Sequence, residues 1–336
     1  MAIEQDEVEI LGGVRHGQTL GSPVAILIRN TEWPKWEAIM SPAAGDGGKE
    51  VTRPRPGHAD LAGMLKYDTE DARDILERAS ARETAARTVT GYLSRVMLAV
   101  CGVDVLSHVL SIGDVHAKYT VPTSDDRSRI ESDPVRCLDP QASAEMVRII
   151  DEAREGKDTL GGVFEVIALG VPVGIGSHVH YDRRLDYLLA GAVMSIPAIK
   201  GVEVGDGFDS AATPGSRAHD EIVRIEGVIS RETNRAGGVE GGMSNGQPIA
   251  VRGAMKPIST LMQPLRTIDM STGEADQAVR ERSDVCAVPA AGVVGEQMVG
   301  FVLASEFSRK FGGDTVDDLT RALDSYRARI AQRIAD

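Results

Sequence analysis

Apolar positions along the chain recur first with the short period of strands. The runs at 8–11 and 24–28 flank a glycine-rich turn, and each predicts a short strand. A loop-heavy stretch over 30–60 follows, interrupted by Pro34, Pro42, Pro54 and Pro56. A helix is predicted over 77–99. There Ala85, Val89, Leu93 and Val96, with Val100 just beyond, recur at spacings of three and four, and Arg78, Arg82, Arg87 and Arg95 take other faces. Alternation returns at 103–112, which predicts a strand. A second helix is predicted over 142–154, with Met146, Ile149, Ile150 and Ala153 inward. One or two strands are expected within 162–175, and a helix over 183–196 with Leu185, Leu188, Leu189 and Val193 inward. Strands are expected at 200–204 and 247–254, helix over most of 285–311 after Pro289, and an amphipathic final helix at 316–334. Strands follow one another through turns, without the regular strand–helix alternation of a doubly wound sheet. That order predicts an α+β class with antiparallel pairing. No repeat, low-complexity block or linker divides the chain, so 1–336 is expected to be a single domain.

Composition narrows the function classes. Apolar residues make up 42% of the 336 residues, enough for a buried core, but aromatics only 4%, so Val, Ile, Leu, Ala and Met must build it. With 37 Lys plus Arg against 50 Asp plus Glu, the net charge is −13, which argues against general affinity for nucleic acid or anionic membrane. Glu165 and glycines interrupt one apolar window (160–176) and Pro289 and Glu296 the other (285–304), so neither reads as a membrane span. Cys101, Cys137 and Cys286 are scattered, with no CxxC pair. Neither a disulfide framework nor a metal site is expected, and a reducing cytoplasm fits. The acidic start carries no signal-peptide core.

Several segments concentrate chemistry. Arg15-His16-Gly17 matches the short signature of histidine phosphatases, in which an imidazole attacks a phosphoryl group. The competing reading, a turn between two strands, is the stronger one. In 53–67, Pro54, Pro56 and Gly57 stiffen a loop that presents His58; Arg53 and Arg55 favour a neutral imidazole and an anionic ligand, and Asp60 opposes that shift. Segment 78–84 opens the predicted long helix, with Ser80 and Glu83 forming a capping box beside Arg78 and Arg82, a pattern suited to an anion and also to an ordinary capped helix. Five glycines within 231–246 let backbone amides approach a phosphate or a flat ring, and the pattern is neither a P-loop nor GxGxxG. Lys256-Pro257-Ile258-Ser259-Thr260 brings an ammonium and two hydroxyls to one turn. Asp284, beside the apolar run from Val285, is a candidate for desolvation and proton transfer, or alternatively caps the helix that follows. Cys286 reads as a small apolar residue. Together these segments suggest a site for a phosphorylated anion with His58 and Asp284 as acid–base groups.

Eight collinear stretches resemble chorismate synthase: GHADLAGMLKY, RASARETAAR, DTLGGVFEVIALGVPVGIGS, AIKGVEVGDGF, SRAHDE, TNRAGGVEGGMSNGQP, AMKPIST and RSDVCAVPAAGVVGE. They cover nearly the whole chain. The resemblance implies a carbon–oxygen lyase of the shikimate pathway. Its members convert 5-enolpyruvylshikimate 3-phosphate to chorismate by anti-1,4 elimination of phosphate, using reduced FMN (FMNH2) without net redox change. It also implies a central helical layer between two antiparallel β-sheets, a homotetramer, and NADPH only as an external or bifunctional reductant of the flavin. By similarity, Arg78, Ala79, Ser80, Ala198, Gly241, Lys256, Pro257, Ile258, Ser259, Thr260 and Arg282 contact the flavin. His58 protonates the reduced cofactor, Asp284 relays the C6 proton, and Arg55, Arg82 and Arg282 stabilise the departing phosphate. Two departures from the family pattern stand out. The GESHG-type opening motif does not occur, so the chain is expected to be N-terminally truncated relative to the family, and Pro197 stands where Gln often precedes Ala198. A non-catalytic relative that binds FMN or substrate is the alternative from another class.

Overall fold

The computed structural model describes residues 7–45, 47–79, 82–225, 227–281 and 283–335. Ser80 and Arg282, both expected at the flavin, lie outside the described residues. The chain forms two compact units, one from residues 1–86 and 264–279, the other from 87–263 and 280–336.

In the first unit, strands β1 (Val8–Gly12) and β4 (Ala25–Ile28) pair antiparallel as the sequence predicts. Between them β2 (Val14–Arg15) and β3 (Gln18–Thr19) close a two-residue turn, with His16 at φ 49° and Gly17 at φ 78°. Both positive φ values are those of a tight hairpin turn, so His16 sits exposed at its tip rather than on a supported phosphatase strand end. Helices α1 (Trp33–Trp36), α2 (Asp60–Tyr67) and α3 (Arg73–Leu76) follow. Val51, Met64 and Ala72 make a small core with Ile75 and Val279. Gly63 permits it: a Cβ there would lie 2.4 Å from Ile75 Cγ2. The later chain segment pairs strands Arg266–Ile268 and Ala275–Gln277 and clamps the 51–54 loop through Val279 N to Arg53 O (3.2 Å) and Thr267 Oγ1 to Pro54 O (2.7 Å).

Helix α4 (Arg82–Val100) begins later than predicted. Arg78 and Ala79 belong to the turn that extends α3, since the Ala79 amide donates to Ile75 O (3.1 Å). The apolar stripe of α4 is not its buried face. Leu93, Val96 and Val100 are exposed, and Gly91 and Leu98 are buried.

In the second unit the chain runs through β5 (Asp104–Ile112), β6 (Val115–His116), α5 (Arg127–Ser132), α6 (Pro140–Glu155), β7 (Gly162–Leu169), α7 (Leu185–Met194) and β8 (Ile199–Val204). It continues through α8 (Gly207–Ala212), α9 (Gly215–Ala218), the hairpin β9 (Ile222–Ile225) and β10 (Val228–Arg231), and the hairpin β11 (Val239–Glu240) and β12 (Met243–Ser244). Strand β13 (Ile249–Met255) and helices α10 (Val288–Phe311) and α11 (Val316–Ala335) complete it. Among the described residues, β6-β5-β7-β13-β8 form a five-stranded sheet whose pairings are all antiparallel. The mixed, antiparallel α+β class follows.

Helix α10 lies on one face of this sheet. It is long and apolar enough to cross a membrane, but most of its apolar window is buried, and Val288, Val299, Leu303 and Phe307 join Val105, Val109, Phe164, Val166 and Val251 in the main core. Its glycines set the separation: a Cβ on Gly295 would lie 2.8 Å from Phe164 Cε2. On its other side a Cβ on Gly91 of α4 would lie 2.2 Å from Gln297 Cβ. That close approach explains why α4 turns Gly91 inward rather than its larger apolar residues.

Buried charges hold these layers. Glu296 of α10 accepts from the Ser107 amide (2.9 Å) and hydroxyl (2.8 Å), from Arg95 of α4 (2.7 Å) and from Arg136 (2.7 Å). Arg127 donates to Val105 O (2.9 Å), Arg136 to Ser107 O (3.3 Å), and the Val109 amide to Arg136 O (3.0 Å), so the outer edge of β5 is bonded from within the chain. Across the sheet, His108, Glu165 and Arg252 stand in register. Glu165, fully buried, pairs with His108 Nε2 (3.0 Å) and Arg252 Nε (2.8 Å). Burial alone would raise its carboxyl pKa, but those two partners hold it below the usual range.

Candidate active site

The first unit holds Arg55, His58, Arg78, Ala79 and Arg82 from the expected set. Pro54 is buried, Gly57 takes φ 77°, and the loop they stiffen leads into α2 at Asp60. Asp60 is fully buried and is the hub of the loop. It accepts from Arg55 N (3.0 Å), Nε (2.8 Å) and Nη2 (3.1 Å), and it pairs with His58 Nδ1. Arg55 Nη2 also lies 3.0 Å from His58 Nδ1. Burial would raise the Asp60 pKa, but hydrogen bonds from His58 and Arg55 outweigh it and hold the carboxyl well below the usual carboxylate range. Nδ1 is thereby engaged by Asp60, and half-buried His58 is held in orientation by two charged neighbours, as an acid–base imidazole requires. Arg55 itself is buried, and Arg82 lies 4.0 Å from Glu32.

This geometry fixes a pH response. Because the folded-state pKa of Asp60 is depressed, its contribution to stability is present above the unfolded value of about 4 and is lost as pH falls below it. Urea denaturation should therefore show a wild-type advantage over Asp60→Asn that is present at about pH 5 and shrinks as pH falls below about 4. An advantage undiminished between about pH 5 and about pH 2 would contradict the assignment.

The second unit holds Ala198, Gly241, Lys256–Thr260 and Asp284, and one strap ties two of these segments together, the Lys256–Thr260 turn and the stretch bearing Asp284. In residues 158–161, Thr159 Oγ1 donates to Ile258 O (2.7 Å), and Leu160 N donates to Val285 O (2.8 Å), beside Asp284. Leu160 also bridges to Cys286 as an isolated parallel pair. Gly161 lets β13 pass: a Cβ would lie 2.3 Å from Met255 O and 2.8 Å from Pro257 N. The Lys256 amide in turn donates to Ala198 O (3.0 Å). Ala198 is held at φ 66°, a left-handed conformation uncommon for a non-glycine residue. Arg87 supports the approach to it through Ser195 O (3.2 Å) and Ser195 Oγ (2.8 Å).

Gly241 and Gly242 (φ 59° and 84°) form the two-residue turn between β11 and β12, and nothing lies within 4 Å of a Cβ built on Gly241. The glycine-rich segment behind that turn is anchored by Asp220, which accepts from Arg235 N (2.8 Å), Ala236 N (2.9 Å) and Thr233 Oγ1. Asp284 is exposed, contrary to the expected desolvation, and it does not cap α10, whose N-cap is Ala287. The reason is local: the chain packs against the core only from Cys286, while Asp284 remains in the connection before it. Burial pushes the thiol of Cys286 up in pKa, consistent with its reading as an apolar residue.

Sequence reasoning missed Thr159 and Asp220. The signal was present in DTLGG, where a glycine pair directly opens a strand, and in SRAHDE, but their partners lie far off in the chain. A cavity of about 850 Å³ beside β6 is lined by residues of 115–118 and 139–148 and by none of the expected site residues.

Comparisons with known proteins identify the family. A family model described as chorismate synthase matches residues 1–307. Chorismate synthase from Streptomyces avermitilis is 55% identical over 343 residues, covering 99% of this chain and 87% of the relative. That from Acidothermus cellulolyticus is 58% identical over 336 residues, covering 97% and 86%. A solved structure titled as the crystal structure of chorismate synthase superposes with a TM-score of 0.79 at 39% identity, covering 97% of this chain and 85% of that one. By sequence, by coverage and by fold, the chain belongs to the chorismate synthase family.

Proposed function

We propose that this chain catalyses anti-1,4 elimination of phosphate from 5-enolpyruvylshikimate 3-phosphate to give chorismate, with reduced FMN bound. The reading rests above all on the strap at 158–161, which joins the Lys256–Thr260 turn to the segment bearing Asp284, while the Lys256 amide bonds the turn to Ala198, all three being expected at one flavin site.

The residues present fit such a cofactor. Half-buried Lys256 supplies a cation, and Ser259 and Thr260 supply hydroxyls suited to carbonyl and phosphate oxygens. The backbone at the Gly241 turn is unobstructed, with nothing within 4 Å of a Cβ built there, so a ligand can approach it closely. When bound, the reduced flavin supplies electron density to a reaction without net redox change. His58, oriented by Asp60, holds a proton for the cofactor at its imidazole, and Asp284 relays the substrate's C6 proton through its exposed carboxylate. Cationic side chains, among them Arg82, Arg55 and Arg282, stabilise the charge that grows on the leaving phosphate. In this reading residues 1–336 act as one family domain, a helical layer lies between two antiparallel sheets, and the protein works as a cytoplasmic homotetramer without nucleic-acid or membrane partners. NADPH serves only to regenerate the flavin.

Anaerobic incubation with substrate and photoreduced FMN should release phosphate and chorismate in equal amounts, with neither product when the flavin is oxidised. Phosphate release that is indifferent to flavin redox state would refute the reaction. Tight flavin binding with no turnover would identify a non-catalytic relative.

A further inference from the structure

We infer that Thr159 is a positioning residue for the cofactor site: its hydroxyl sets the Lys256–Thr260 turn through the Ile258 carbonyl, while the neighbouring Leu160 amide fixes the backbone beside Asp284. The inference rests on the reading of that turn as flavin-binding and adds a residue that the family resemblance does not supply.

Thr159 is buried, and its Oγ1 donates to Ile258 O at 2.7 Å across 99 residues of sequence. One residue on, the Leu160 amide donates to Val285 O, and Leu160 bridges to Cys286. Gly161 then passes so close to Met255 and Pro257 that no side chain fits. Three consecutive residues of one extended segment therefore touch both the end of β13 and the entry to α10. A displacement of the strap would move the turn and the Asp284 segment together. Thr159 itself has no ionisable group and need not contact a ligand, so its effect passes through the Ile258 carbonyl. Pro257 cannot donate a backbone hydrogen bond, and so contributes nothing of that kind to hold the turn. A hydroxyl is the group required: Val has the same shape but leaves the carbonyl without its donor.

Thr159→Val and Thr159→Ser are the informative pair, with reduced-FMN affinity and local amide exchange as readouts. Thr159→Val should weaken reduced-FMN binding about tenfold, the scale of one lost hydrogen bond. It should also speed exchange at 255–261 and 283–287 while leaving the exchange of β5 and β7 unchanged. Thr159→Ser, which keeps the hydroxyl, should restore both. Wild-type flavin affinity together with unchanged local exchange in Thr159→Val would overturn the inference. If the wild-type protein bound no reduced FMN, the functional reading would fall, but the exchange data would still decide the strap: faster exchange at both segments supports it and unchanged exchange rejects it. Should Thr159→Val not fold, Thr159→Ala, which adds no bulk, is judged by the same criteria.

Discussion

Asp284→Asn should lower the turnover number for chorismate formation by about 10²–10⁴-fold, the usual range for loss of a proton-transfer group. The amide is nearly isosteric with the carboxylate but cannot take a proton at neutral pH. Because Asp284 is exposed and caps no helix, the substitution should leave folding intact and reduced-FMN affinity near that of the wild type. Single-turnover measurement under anaerobic conditions separates the two quantities. A variant within about fivefold of wild type in that step would remove Asp284 from the proton path, since an effect that small falls below the range expected of a general base.

The second large effect is on stability. Glu296→Gln should destabilise the protein by about 3–5 kcal/mol, because half-buried Arg95 and Arg136 would be left without their buried counter-charge. Glu296 is 3% exposed, and its carboxylate receives both guanidiniums as well as the amide and hydroxyl of Ser107. The glutamine keeps one carbonyl acceptor but brings an amide donor toward groups that are themselves donors. Equilibrium urea unfolding measures the difference. Glu145→Gln is the matched control: its partner Arg148 is half-exposed on α6, so solvent screening should make the change small. Equal effects from the two substitutions would mean that the Glu296 cluster is not desolvated in solution.

The strands at 103–112, 200–204 and 247–254 were legible because their apolar residues alternate or run unbroken between turn signals, and each appears within a residue or two of the expected limits. Helices over 142–154, 183–196, 289–311 and 316–334 were legible for the same reason at the longer period. The start of the long helix was misplaced because Arg, Ala and Glu before Arg82 carry good helix propensity, and propensity does not reveal that Ala79 bonds back to Ile75. The buried face of that helix could not be read from periodicity either. Its close approach to α10 is made at Gly91, which has no side chain to mark it, and Arg95 is drawn inward by a carboxylate 201 residues away.

The site shows the same division. Pro54, Pro56 and Gly57 announced a stiff loop, and Asp60 was visible as a neighbour of His58. That Asp60 is the buried hub for both His58 and Arg55 depends on how α2 begins. Lys256–Thr260 and Asp284 stood out by residue type. Their convergence depends on Thr159 and Leu160, whose partners lie about 100 residues downstream or more and leave no local pattern.

The bonded outer edge of β5 has a consequence for self-association. The stretch Asp104–Ile112 is rich in Val, Leu and Ile, the composition that most readily recruits a like strand and seeds fibres when its backbone is open. Arg127, Arg136 and Glu296 occupy those backbone positions with side chains, and the Arg136 carbonyl takes the Val109 amide. An incoming strand would have to displace charged groups from a buried network before making its first hydrogen bond. The same carboxylate that fastens α10 to the sheet thereby guards the chain against polymerising through this apolar strand.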